Sequence, residues 1–162
     1  MASDDYKKAL KMGKAAYRRA LSRGEYPYLP ALDAILTQAE MKTEESLGLV
    51  NIPLDQIVGT KTEGRQNSFA SNFMPLMPEY SEFARKWDGV LDYHMNQGIG
   101  DPIVCYEFMN KFYVLEGNKR VSVLKYFGVD SIEGTVTREI PYPQDTPESR
   151  IYFEFLDFYK DS

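Results

Sequence analysis

The 162-residue sequence has one cysteine, Cys105, and one histidine, His94. A lone thiol excludes a disulfide framework within the chain and suits a reducing compartment. A zinc cluster needs several Cys or His ligands, and no His-Glu-x-x-His or Gly-x-Ser-x-Gly pattern occurs. Long hydrophobic runs are also missing. Residues 1–23 alternate charged with apolar positions, which fits neither a signal peptide nor a membrane span, so a cytoplasmic domain without a membrane partner is expected. Positive charge is in deficit, with a net charge of −5 and a pI near 5.0. Domains that grip duplex DNA through its phosphates usually have a pI above about 9, so the balance weighs against a DNA partner.

Hydrophobic residues make up 43% of the chain and charged residues 27%, which is ordinary for a globular domain. A chain of this length buries roughly 70% of its unfolded surface and needs no metal or disulfide to hold it. Twelve tyrosines and nine phenylalanines argue against disorder.

Apolar residues at helical spacing predict a first helix through Tyr6, Ala9, Leu10, Ala16, Tyr17 and Leu21. Ser3-Asp4-Asp5 caps it, and Gly24 ends it. A second helix is expected from Pro30 to about Glu40, burying Leu32, Ile35 and Leu36. Leu47–Ile52 reads as a strand and Leu54–Ile57 as a turn. Gly59–Pro75 reads as a long polar loop, which in a compact domain is usually functional or disordered. The run from Glu79 to about Gln97 forms an amphipathic helix with Tyr80, Phe83, Ala84, Trp87, Val90, Leu91, His94 and Met95 on its apolar stripe. His94 is therefore expected at the core boundary. Strands over 101–107 and 111–115 make a hairpin, a helix spans 118–127, and a strand spans 131–138. An aromatic helix follows from Pro147 to Asp161. The order α-α-β-loop-α-β-β-α-β-α implies an α+β fold around a mixed sheet. Three parts are expected: a helical segment at 1–46, the main domain at 47–139, and a terminal helix at 140–162 that packs on the domain or leads to a neighbour.

The segment Glu116-Gly117-Asn118-Lys119-Arg120 joins a strand directly to a helix. Free amides of a first helical turn favour an anion, and Gly117 permits close backbone approach. Lys119 and Arg120 stand in that first turn, where the helix dipole opposes cations unless an anion answers them. A phosphate resolves the conflict. Solvated surface charges on an ordinary strand–Gly–helix turn are the plain alternative.

Ile103 to Gly128 resembles the central motif of the ParB/sulfiredoxin family: a hairpin, a strand ending in an acidic or polar residue, Gly, two variable positions and Arg, then a helix closed by Gly. Val50–Ile57 is similar to that family's first strand, and Ile132–Val136 to the strand after the motif helix, so the resemblance covers about Leu47 to Glu139. It implies a mixed sheet with flanking helices and a nucleotide or phosphate site at Gly117, Asn118, Lys119 and Arg120.

Three chemistries occur on this motif in the family. Sulfiredoxins carry a cysteine where Asn118 stands, and without a thiolate at that turn the reaction has no nucleophile. Chromosome-partition proteins read Gly-Glu-Arg-Arg and bind cytidine triphosphate with magnesium; here Asn118 replaces the carboxylate, and Ser122 replaces a later Arg. Free-serine kinases open the turn with an acidic residue and Gly and end it in Arg, as Glu116-Gly117 and Arg120 do, but their two histidines are Asn118 and Lys119 here. The resemblance thus implies a domain binding a nucleotide or another phosphorylated ligand. Its alternatives are a phosphotransferase or ATPase with Glu116 or Glu63 as base or magnesium ligand, and a nucleic-acid-associated domain of nuclease or partition type. Arg65, in the loop matching the family's second ligand loop, is a further phosphate candidate because a guanidinium fits phosphate oxygens bidentately. The cavity beside Asn118–Arg120 is expected to be bordered by the Thr60–Asn67 loop. A magnesium ion entering with a nucleotide is the one cofactor the resemblance suggests, and no resident metal site is expected.

Overall fold

The computed structural model describes residues 2–36, 41–64 and 66–160. The Ser3 hydroxyl accepts the Tyr6 amide at 3.0 Å and opens helix α1 (Asp4–Ser22), with Asp4 and Asp5 in the first turn where the dipole favours them. Gly24 takes the left-handed conformation, and the Glu25 amide turns back to the Ala20 carbonyl at 2.9 Å, closing the helix. The buried face of α1 is built largely of small residues (Ala9, Gly13, Ala16 and Ala20), so the helix lies close to its support. A Cβ at Gly13 would stand 2.2 Å from the Pro75 carbonyl oxygen.

Helix α2 covers only Leu32–Ile35, shorter than the expected span from Pro30 to Glu40; Leu36 is extended, and residues 37–40 lie outside the described residues. The cause is long-range pairing. Thr60 N donates to Pro30 O and Asp33 N to Lys61 O, both at 3.0 Å, so the start of this segment is held by a strand edge, and only the Ala34, Ile35 and Leu36 amides close on carbonyls of the short helix at Ala31 and Leu32. Ile35, expected in the core, is exposed.

Strand β1 (Met41–Pro53) begins six residues before the expected Leu47. It pairs antiparallel with the last strand from Met41 opposite Pro141 to Pro53 opposite Ser131. Thr43 to Ser46 are polar and exposed, so nothing local marks them as strand; the partner does. The polar loop expected over Gly59–Pro75 starts with strand β2 (Ile57–Thr60) and contains a 3-10 turn at Gln66–Ser68.

Helix α3 (Glu82–Gln97) is capped by Ser81, whose hydroxyl accepts the Ala84 amide, so it starts three residues after the expected Glu79. Tyr80 and Met95, placed on its apolar stripe by spacing, are exposed. Strands β3 (Ile103–Phe108) and β4 (Lys111–Glu116) form the expected hairpin. Its two turn residues, Met109 and Asn110, both have positive φ (52° and 65°), as the type I′ geometry requires. Helix α4 (Asn118–Tyr126), strand β5 (Ser131–Pro141) and helix α5 (Pro147–Lys160) complete the chain.

The strand order is β1-β5-β3-β4-β2, with β5 parallel to β3, β2 parallel to β4, and the other two pairings antiparallel. This is an α+β fold on a mixed five-stranded sheet flanked by helices. One apolar cluster joins the sheet face to Val121 and Leu124 of α4 and to Phe69 and Phe73. A second lies between α1, α3 and α4 around Trp87, which is fully buried. The Trp87 indole donates to Ser122 Oγ at 2.9 Å, and its ring meets Tyr6 and Tyr126 edge-on at 5.4 and 5.7 Å. Among the described residues, no helix is long and apolar enough to cross a membrane.

Candidate functional site

Strand β4, inside the sheet between β3 and β2, ends at Glu116, and Gly117 then turns the chain into α4 with φ 113°. No side chain caps this helix. Gly117 is required twice over: its φ disfavours any L side chain, and a Cβ there would stand 2.5 Å from Ile103 Cγ2 and 3.2 Å from Arg120 Nη2.

The next three residues take different directions. Asn118 is buried, 8% exposed, and donates from Nδ2 to Thr60 Oγ1 at 3.5 Å. Thr60 in turn donates to the Val114 carbonyl at 3.0 Å, so its oxygen is left to accept from Asn118. The Asn118 side chain therefore ties α4 to β2, and its Oδ1 is buried without a partner among the described residues. Lys119 places its ammonium over the Phe83 ring at 4.8 Å. Arg120 donates from Nη1 to the Asp101 and Pro102 carbonyls at 2.9 and 3.2 Å, pinning the segment that leads into β3.

Lys119 and Arg120 line a cavity of about 600 Å³. Its opposite wall is one face of α3: Lys86, Gly89, Val90 and Tyr93, at i, i+3, i+4 and i+7. Ile99, Asp101 and Pro102 complete it. The expectation that the 60–67 loop borders this cavity is corrected: none of the loop's described residues lines it, and α3 holds that place. Lys61 N donates to Val114 O at 2.8 Å and Thr60 holds Asn118, which draws the start of the loop onto β4 and the buried side of α4.

The α3 residues were not identified from the sequence. The signal for them exists but is quiet: a second helical face beside the buried row Ala84, Trp87 and Leu91. Gly89 on that face has open space where a Cβ would project, so its missing side chain widens the cavity.

Glu116 and Glu63 are both exposed, and neither is among the cavity-lining residues. Arg65 lies outside the described residues. Asp101 is the acidic residue among those that line the cavity. Among the described residues, no group of three or more His, Cys, Asp or Glu gathers to hold a metal. A resident magnesium ion wants several oxygen ligands, which a lone Asp101 does not supply, so the described residues do not fit one.

Cys105 lies in the core row of β3, fully buried, and burial pushes its thiol up to about 12, so it stays protonated and inert near neutral pH. His94 is half-buried and packs against the Phe127 ring at 5.3 Å, the boundary position that its spacing implied.

No family model and no curated protein matches the chain. Among solved structures, it is similar to the crystal structure of sulfiredoxin from Arabidopsis thaliana, at 22% identity over 54% of this chain and 82% of that one, with a TM-score of 0.37. A likeness at that level decides neither family nor function. The mixed sheet is established by its own strand pairing.

Proposed function

We propose that the chain binds a nucleotide or a comparable phosphorylated ligand in the cavity between α3 and the first turn of α4. The observation that carries this reading is the meeting of Lys86, Lys119 and Arg120 in one cavity whose other walls include Val90, Tyr93, Ile99 and Pro102. Its volume of about 600 Å³ is in the range of small-molecule sites, which combine apolar walls with a few placed polar groups. Phosphates lie by the cations of α4, where an anion offsets the unfavourable field of the helix terminus. Arg120 is preoriented by its two carbonyl contacts, which keeps its planar fork in place. Lys86 pairs with Glu82 at 3.2 Å on the open surface, a contact weak enough to exchange for a ligand. The Tyr93 ring, 46% exposed, gives an aromatic face for a base. Gly117 and Asn118 are not among the cavity-lining residues, and the Asn118 side chain turns to Thr60, so their part is to set the turn that presents Lys119 and Arg120. The resemblance of Glu116–Arg120 to the ParB/sulfiredoxin motif supports the same placement. All the lining residues fall within 47–139, the segment we assign as the ligand-binding domain, with 1–46 and 140–162 flanking it.

A phosphotransferase reading draws on one further observation. Asp101 lines the same cavity as Arg120, where a base for an acceptor hydroxyl is needed, whereas Glu116 and Glu63 do not line it.

Calorimetric titration with ATP, ADP, CTP, GTP and pyrophosphate, with and without magnesium, tests the site against a Gly89→Leu variant. The added side chain projects into open space from a helix interior that gains up to about 1 kcal/mol on losing glycine, so the fold is kept while the cavity fills. Binding to the wild type and a loss of more than tenfold in Gly89→Leu is expected. No binding to any of these compounds, or equal binding by both proteins, overturns the assignment.

A further inference from the structure

The net charge of −5 conceals a sharp segregation. Residues 4–23 hold seven Lys and Arg against Asp4 and Asp5, a local +5 on a chain whose remainder carries −10. On α1 the cations Lys7, Lys11, Lys14 and Arg18 follow i, i+4, i+7 and i+11, a single line running about 16 Å along the helix. All four are exposed, and no described acidic residue ion-pairs with them. Lys7, Lys11 and Lys14 also edge a groove of about 300 Å³ that includes Leu10 and Glu79.

A second feature adjoins this line. Tyr17, next to Arg18 in sequence, packs its ring 5.6 Å from Tyr28, and Tyr28 packs 5.8 Å from Tyr26. The closed C-terminus of α1 at Gly24 returns the chain to make this cluster, and Tyr26 is left 56% exposed. The apolar face of α1 is buried against the fold through Tyr6, Ala9 and Leu10, so the helix has no apolar stripe left to insert into a bilayer.

We infer that α1 and the Tyr26–Tyr28 segment form a binding surface for single-stranded nucleic acid, independent of the cavity at α4. The cation line tracks a phosphodiester backbone, and the exposed tyrosine at its end stacks a base. That combination of a basic track with an aromatic platform is how single strands are held without sequence preference.

Fluorescence anisotropy of the full chain tests this with a labelled oligothymidylate of roughly 12 nucleotides, titrated at rising salt. Four phosphate contacts give a slope of log affinity against log salt of about −3, a fall of roughly 50-fold between 50 and 200 mM. The variant carrying Lys7→Gln, Lys11→Gln, Lys14→Gln and Arg18→Gln keeps good helix formers at every position. It should lose most of that slope and at least tenfold in low-salt affinity, with its helical circular dichroism unchanged. Tyr26→Ala, an exposed site that leaves the fold intact, should lose about 5- to 150-fold in affinity with the slope unchanged. Equal affinity across the three proteins overturns the inference. So does competition by phosphatidylserine vesicles or a blunt duplex as strong as that by unlabelled single strand, which identifies a membrane-adsorbing or generic polyanion surface instead.

Discussion

Replacing Glu107 with alanine removes a carboxylate on which three elements converge. Glu107 belongs to the core-facing row of β3 with Ile103 and Cys105, is 1% exposed, and stands beside Arg138 in the parallel pairing of β3 with β5. Its Oε1 accepts the Asn110 amide of the hairpin turn at 2.7 Å, and its Oε2 accepts Arg138 Nε at 2.8 Å. The Tyr152 hydroxyl of α5 reaches both oxygens at 3.1 and 3.2 Å. Burial, and then the charge of Glu107, push the Tyr152 phenol far up, so it remains a donor. Truncation leaves the Asn110 amide and the Tyr152 hydroxyl without their acceptor, at about 1–3 kcal/mol for each group that stays dry. The Arg138 side chain, 18% exposed, recovers part of its loss in water. Breaking a buried pair by deleting one partner costs about 3–5 kcal/mol, which fits this sum. For a chain of this size each kcal/mol lowers Tm by about 2–4 °C, so Glu107→Ala should melt roughly 10 °C lower. Urea unfolding gives the free energy. Hydrogen exchange should show α5 losing protection before the sheet does, because Tyr152 is its buried contact to β3. A loss below about 1 kcal/mol, or unchanged exchange in α5, would refute the view that this carboxylate latches the terminal helix.

Arg120→Ala should lower stability by about 1–2 kcal/mol, because the Asp101 and Pro102 carbonyls lose a charged donor at a partly exposed site, and lower nucleotide affinity by about 10- to 150-fold. Arg120→Lys should recover part of the affinity, and equal calorimetric affinities for all three proteins would remove Arg120 from the site. Glu139 is buried opposite Glu44 in the β1–β5 register, and its carboxyl is pushed from 4.5 to about 7 by burial first and the Glu44 charge second, with Lys61 opposing and Asp33 adding to the rise. The folded chain therefore keeps a proton that the unfolded chain releases, so the stabilisation from neutral Glu139 is complete below about pH 4.5 and lost as the pH rises through 7. The Tm of the wild type relative to Glu139→Gln should fall across that interval, and a difference that stays flat or rises would contradict the assignment.

Elements with local signals were legible in the sequence. Ser3 marks a helix start, Gly24 marks a stop, and the Met109-Asn110 turn marks a hairpin, because caps and turns are settled within a few residues. Ser81, the cap of α3, is passed over for a start at Glu79. The elements misread were those whose backbone partners are distant. The polar start of β1 is held by β5, the brief β2 by β4, and Pro30 and Asp33 by the 60–61 edge, beside a helix of only four residues.

The site divides the same way. Lys119 and Arg120 could be singled out because cations in a first helical turn are a local conflict, whichever way the chain folds. Gly117 was legible for the same reason, as a turn that only glycine makes. Lys86, Gly89 and Tyr93 could not be, since beside the stronger Ala84–Trp87–Leu91 row they read as a solvated face. The basic line on α1 is legible from helical spacing, but an acidic total takes weight from it, because charge sums over the chain while binding depends on where charges lie. The sequence by itself determined the strand–glycine–helix turn and the cations that follow it. Only tertiary packing decided that α3 faces that turn across a cavity, that Asn118 points inward to Thr60, and that Glu107 lies under Tyr152. The physical reason is that hydrogen-bonded turns close over a few residues, whereas distances between residues far apart in the chain are set by how buried surfaces fit together.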